Sequence, residues 1–109
     1  MASVRETFDR MPQLFRKDGA QGLTAVYQFD ITGDDGGRWY AAVREGELTV
    51  GEGTHASPNV TITMAAGHFV DMVEGRLGGM RAFITGKLKV KGDMMLAGRM
   101  QKFLNVKLV

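Results

Sequence analysis

The chain has 109 residues, 44% of them apolar, and its 14 basic and 12 acidic side chains give a formal net charge of +2. That length favours one domain over residues 1–109. Charge this balanced, with no basic run interleaved with aromatics, argues against a nucleic-acid partner, and the absence of cysteine excludes disulfides, thiolate catalysis and cysteine-held metal while fitting a cytoplasmic setting.

Ser3-Val4-Arg5-Glu6 is a capping-box pattern that opens a first helix. Val4, Phe8, Met11 and Phe15 give it one apolar face. Pro12 is expected to kink or interrupt it near Met11, or to start a second short turn; Asp18-Gly19 and Gly22 end the helical region. Leu23 to Thr32 is the best strand in the chain. Leu23, Ala25, Tyr27, Phe29 and Ile31 fall on one face and Thr24, Gln28, Asp30 and Thr32 on the other. Gly33-Asp34-Asp35-Gly36-Gly37 is a hairpin loop. Arg38 to Arg44 returns, with Trp39, Ala41 and Val43 on one face, and after Glu45-Gly46 a third strand covers Glu47 to Gly51.

Glu52 to Asn59 reads as a loop, and Val60, Ile62 and Met64 alternate with threonines as a fourth strand. Ala65 to Glu74 and Leu77 to Thr85 read as helices, the second weakened by Gly78 and Gly79. Lys87 to Lys91 alternates lysine with Leu88 and Val90, giving a fifth strand. Asp93 is a good N-cap for a last helix carrying Leu96, Met100, Phe103 and Leu104. The order is α-β-β-β-β-α-α-β-α. The first three strands form an antiparallel meander, and the helical insertion is long enough to allow strands four and five to run parallel. The fold class is α+β: a five-stranded, mostly antiparallel mixed sheet with helices covering one face.

Few residues point to chemistry. His55 and His68 have no second ligand at metal spacing, and Ser3 and Ser57 sit in no nucleophile-elbow pattern. Asp34 and Asp35 lie in a solvated turn that lacks the burial and fixed geometry of an acid–base pair. The glycines around them precede a strand, so they lack the helix terminus of a phosphate loop. No catalytic residue, cofactor or metal is expected. No apolar run approaches the ~20 residues of a membrane span. The N-terminus has no apolar leader pattern, and the final Val106-Lys107-Leu108-Val109 is not a peroxisomal address.

Two patterns are more informative. Lys87, Lys89 and Lys91 suit either an edge strand guarded from pairing by charge or contact with anionic head groups. Of eight methionines, Met64, Met72, Met80, Met94, Met95 and Met100 lie in the second half. They suit ordinary core packing, or a deformable wall that accepts several apolar shapes. Gly98, costly within a helix, leaves room there for a ligand.

The stretch Gly79 to Ala97, G-M-R-A-F-I-T-G-K-L-K-V-K-G-D-M-M-L-A, resembles the signature of the sterol carrier protein-2 (SCP-2) domain family: a small helix, A-F-x-x-G-K-L-K-x-x-G-D, then a lipid-covering helix. The resemblance extends to Leu23–Gly33, Gly46–Val50 and Asn59–Thr63. It implies an SCP-2-like fold and a stand-alone, non-enzymatic carrier. The ligand so implied is a fatty acid, fatty acyl-CoA, phospholipid or sterol, held in an apolar tunnel between sheet and helices. Phe69, Val73, Met80, Phe83, Ile84, Leu88, Val90, Met95, Leu96, Met100 and Phe103 are then candidate linings, with Gln101 meeting a polar head group. Gly98 departs from the bulkier residue the resemblance implies. An empty tunnel of ~300 Å³ would cost up to about 7 kcal/mol at ~24 cal/mol per Å³, so the last helix is expected to collapse inward or the protein to retain lipid. The alternative is an interaction module that docks a lipid-metabolising enzyme.

Overall fold

A computed structural model describes residues 3–104; the chain-end readings at 1–2 and 106–109 lie outside them. Helix α1 (Val4–Leu14) starts from the anticipated capping box: the Ser3 hydroxyl accepts from the Glu6 amide, and the Glu6 carboxylate accepts from the Ser3 amide. Pro12 neither interrupts the helix nor starts another. It lies in the last turn, where its missing donor costs a single intrahelical bond, and the helix stops at Leu14 with Phe15 extended. A 3-10 turn over Lys17–Ala20 follows.

The sheet contains β1 (Ala25–Thr32), β2 (Gly37–Arg44), β3 (Glu47–Glu52), β4 (Val60–Ala65) and β5 (Leu88–Gly92) in the order β3-β2-β1-β4-β5. β1, β2 and β3 form the antiparallel meander. The parallel pair is β1 with β4, and β4 pairs antiparallel with β5. This corrects the expectation for strands four and five. Helices α2 (Ala66–Val73) and α3 (Gly79–Ile84) are two short segments rather than one crossover. Together they return the chain to the end it left, so Leu88 at the start of β5 faces Met64 at the end of β4. Helix α4 (Met94–Phe103) closes the chain, with the Asp93 carboxylate accepting from the Met95 and Leu96 amides.

Register places the apolar residues in rows on one face. Trp39, Phe29, Ile62 and Val90 align across four strands, as do Val50, Ala41, Tyr27 and Val60. Under this face Phe8 of α1 meets three aromatic side chains: it stacks on Trp39 and Phe69 and meets Phe29 edge-on, at centroid distances of 4.9, 5.0 and 5.3 Å. The other face is mostly polar, with one departure from expectation. Gln28 is buried, because residues 53–55 fold over it: its amide donates to the Trp39 and Gly53 carbonyls and its oxygen accepts from the His55 amide. A side chain on the polar face thus holds a loop in place through two bonds, with a third to β2.

The C-terminal half of α4 is tied to the segment after α1. The Arg16 amide donates to the Phe103 carbonyl, and its guanidinium to the Gln101 and Leu104 carbonyls. These acceptors are the ones a helix end leaves unsatisfied, and a cation suits that end. Gly19 permits the approach, since a Cβ there would stand 1.8 Å from the Lys102 carbonyl oxygen. Gly92 permits a second one: it has φ +106°, and a Cβ would lie 2.4 Å from the Asn59 oxygen.

Candidate functional site

Strand alternation turns Leu88 and Val90 of β5 toward the helices, beside Ile62 of β4. These three form the floor of a hollow of about 220 Å³. Met72 of α2 closes one end. Gly79, Met80 and Phe83 of α3 make one wall, and Met94, Ala97, Gly98, Met100 and Gln101 of α4 make the other. Gln101 is the single polar side chain in that lining, and no lining residue carries a charge. Met80, Phe83 and Met94 are also substantially exposed, so they mark the mouth. The hollow is an open-mouthed cleft lined largely with thioethers and aliphatic groups.

The twelve residues proposed from sequence divide into groups. Met80, Phe83, Leu88, Val90, Met100 and Gln101 meet in the hollow. Phe69 and Phe103 are fully buried in the core beside it, Phe69 against Phe8 and Phe29, and Phe103 against Tyr27 and Phe15. Leu96 packs on the core half-buried. Val73 is on the other side of α2, in a separate cleft with Thr7, Arg10, Leu14 and Glu74. Ile84 and Met95 point outward, 74% and 86% exposed. Ile62, Gly79 and Ala97 join the hollow without having been singled out for it, and so do Met72 and Met94, read only among the methionines of a possible deformable wall. For Ile62 the strand alternation carried the signal; for Met94 and Ala97 it was helical spacing from Gln101.

Tyr27 fixes α4 from beneath. Its phenol is buried and donates to the Leu96 carbonyl at 2.7 Å. Burial, chiefly, pushes its pKa up to about 12, with Arg99 opposing and Asp93 reinforcing. The native state therefore keeps the phenol neutral where an unfolded chain ionises it near pH ~10. The resulting stability is complete below that pH and is lost as pH rises toward the native pKa. We expect a fall of about 2–3 kcal/mol between pH ~10 and ~12. Urea unfolding across that range should show it, and Tyr27→Phe should remove the Tyr27 component of the slope; an unchanged slope would refute the assignment.

Lys87, Lys89 and Lys91 alternate with the floor residues, so they leave β5 on the side away from the hollow, along an outer edge of the sheet. Among the described residues there is no cluster of metal-ligating side chains and no helix long and apolar enough to cross a membrane.

Comparison with known proteins gives a consistent picture. The model of the SCP-2 sterol transfer family matches residues 8–105. Hydroxysteroid dehydrogenase-like protein 2 of Bos taurus is 36% identical over 104 residues, covering 94% of this chain and 25% of that protein. The chain thus spans about a quarter of the length of such relatives. Among solved structures, palmitated SCP2L2 from Aedes aegypti superposes with a TM-score of 0.77 at 25% identity, covering 91% of each chain. The sec-alkylsulfatase Pisa1 from Pseudomonas sp. contains a similar fold, with a TM-score of 0.78 at 21% identity, over 89% of this chain and 15% of that one.

Proposed function

This chain belongs to the SCP-2 sterol transfer family, and from that premise we propose that it carries a lipid by enclosing its apolar part in the hollow between β4–β5 and α3–α4. The ligand class is a fatty acid, fatty acyl-CoA, phospholipid or sterol-like lipid, and the protein performs no chemical step on it. The observation that carries this reading is the lining itself: apolar but for Gln101, methionine-rich, uncharged, and open to solvent on one side. Each CH₂ moved from water into it gains roughly 0.8 kcal/mol. A bilayer offers a lipid a similar gain, so exchange between the two is close to neutral.

The size of the hollow bears on the mechanism. At about 220 Å³ it falls below the ~300–1,000 Å³ usual for ligand sites. Flexible methionines along both walls allow it to widen into a tunnel around a tail. A lipid head group then meets Gln101 or stays at the mouth, and Lys87, Lys89 and Lys91 face anionic head groups of the donor or acceptor membrane.

Displacement of a fluorescent fatty acid, with native mass spectrometry for retained lipid, tests the proposal. Saturable binding is the expected result. Failure to take up any amphiphile, with no lipid retained, would overturn it. The second reading, a module that docks a lipid-metabolising enzyme, draws on the longer dehydrogenase-like relatives; it predicts enzyme association without lipid uptake.

A further inference from the structure

We infer that the rim of the hollow is the surface that enters an anionic membrane. The inference deepens the carrier reading and rests on it only in naming the mouth as the lipid's entrance. Among the described residues the exposed large apolar side chains are Met80, Phe83, Ile84, Met94 and Met95, at 46, 42, 74, 51 and 86% exposure. Three of them line the mouth, and Ile84 and Met95 are their immediate chain neighbours. Three large apolar groups at one opening, with two more exposed beside them in the chain, form the kind of patch that marks an interaction site.

Charge identifies the partner. Residues 75–109, which include α3, β5 and α4, contain eight basic residues and one acidic, Asp93; residues 1–74 contain six basic and eleven acidic. The Asp93 carboxylate is engaged at the α4 N-cap. Arg81, Lys87, Lys89 and Lys91 form no ion pair among the described residues. The apolar rim therefore lies within the positive part of a chain that is otherwise net negative, and its complement is an anionic surface with an apolar interior. An approach onto the β5 edge brings both the rim and the lysine row to that surface. Helix α1 offers no such face, because Val4, Phe8 and Met11 are spent in the core and Arg5, Glu6, Asp9 and Arg10 outside it balance.

The test is flotation of the full chain with vesicles of phosphatidylcholine alone and of phosphatidylcholine with phosphatidylserine. We expect salt-sensitive binding to the second, about tenfold or more above the first. Ile84→Gln/Met95→Gln should lose about tenfold of it while unfolding at an unchanged temperature, since both side chains are exposed. Equal binding to both vesicle types, or an unaltered double variant, overturns the inference. So does rim-dependent self-association in analytical ultracentrifugation without vesicle binding, which would make a second copy the occupant. Fatty-acid displacement without vesicles separates the two proposals: uptake with no vesicle binding sinks only the docking surface, and vesicle binding with no uptake sinks only the carrier.

Discussion

Gly98→Leu should bind a fluorescent fatty acid at least about tenfold more weakly, a loss of ~1.4 kcal/mol, yet unfold at a higher temperature. Gly98 lies mid-helix in α4 and lines the hollow, and a Cβ built on it meets no atom within 4 Å. Leucine there has room, and the side chain takes up space that a tail would occupy. Glycine in a helix interior costs ~0.8–1.0 kcal/mol against alanine, and leucine is close to alanine. Binding and stability therefore move in opposite directions, which a merely disruptive substitution cannot produce. Parallel thermal melts and titrations decide it: unchanged affinity in the stabilised variant would move the ligand elsewhere.

Phe8→Ala should be the most damaging single truncation in the chain. The ring is fully buried and packs on Trp39, Phe69 and Phe29. A buried Phe→Ala change costs ~3–5 kcal/mol, and aromatic pairs add ~0.5–1.5 kcal/mol each beyond area burial. A domain of this size has only ~5–15 kcal/mol in total. The melting temperature should fall by roughly 15 °C or more. A fall of only a few degrees would mean that the neighbouring rings close the void. Because Phe8 touches no residue of the hollow's mouth, lipid affinity measured well below the melt should change little.

How far the sequence foretold this molecule depends on the range of the interaction involved. Strand faces were legible because alternation is local: Tyr27, Phe29 and Ile31 lie inward as read, and so do Trp39, Ala41 and Val43. Caps at Ser3 and Asp93 were legible for the same reason. Gln28 was not, since its burial comes from residues 53–55. Nor was the direction of β5, which depends on how two short helices add up in space. The candidate lining split along a similar line. Residue type alone leaves Met94 and Met95 equivalent, but their directions differ by ~100° around the axis, so Met94 lines the hollow and Met95 faces solvent. Phe69 and Phe103 read as wall residues because their aromatic partners Phe8 and Phe15 come from the far end of the chain.

The parallel pairing of β1 with β4 has a kinetic consequence. β1 to β3 zip through short turns, and β4, α2, α3 and β5 fold back over neighbouring residues. Within the sheet the two halves meet along one seam, where Tyr27 joins Val60 and Val26 exchanges bonds with Asn59. Closing that seam fixes a long excursion of backbone before any reward is collected. The nascent chain cannot complete its sheet until β5 has been synthesised, and refolding should be limited by closing the β1–β4 pairing rather than by the winding of any helix.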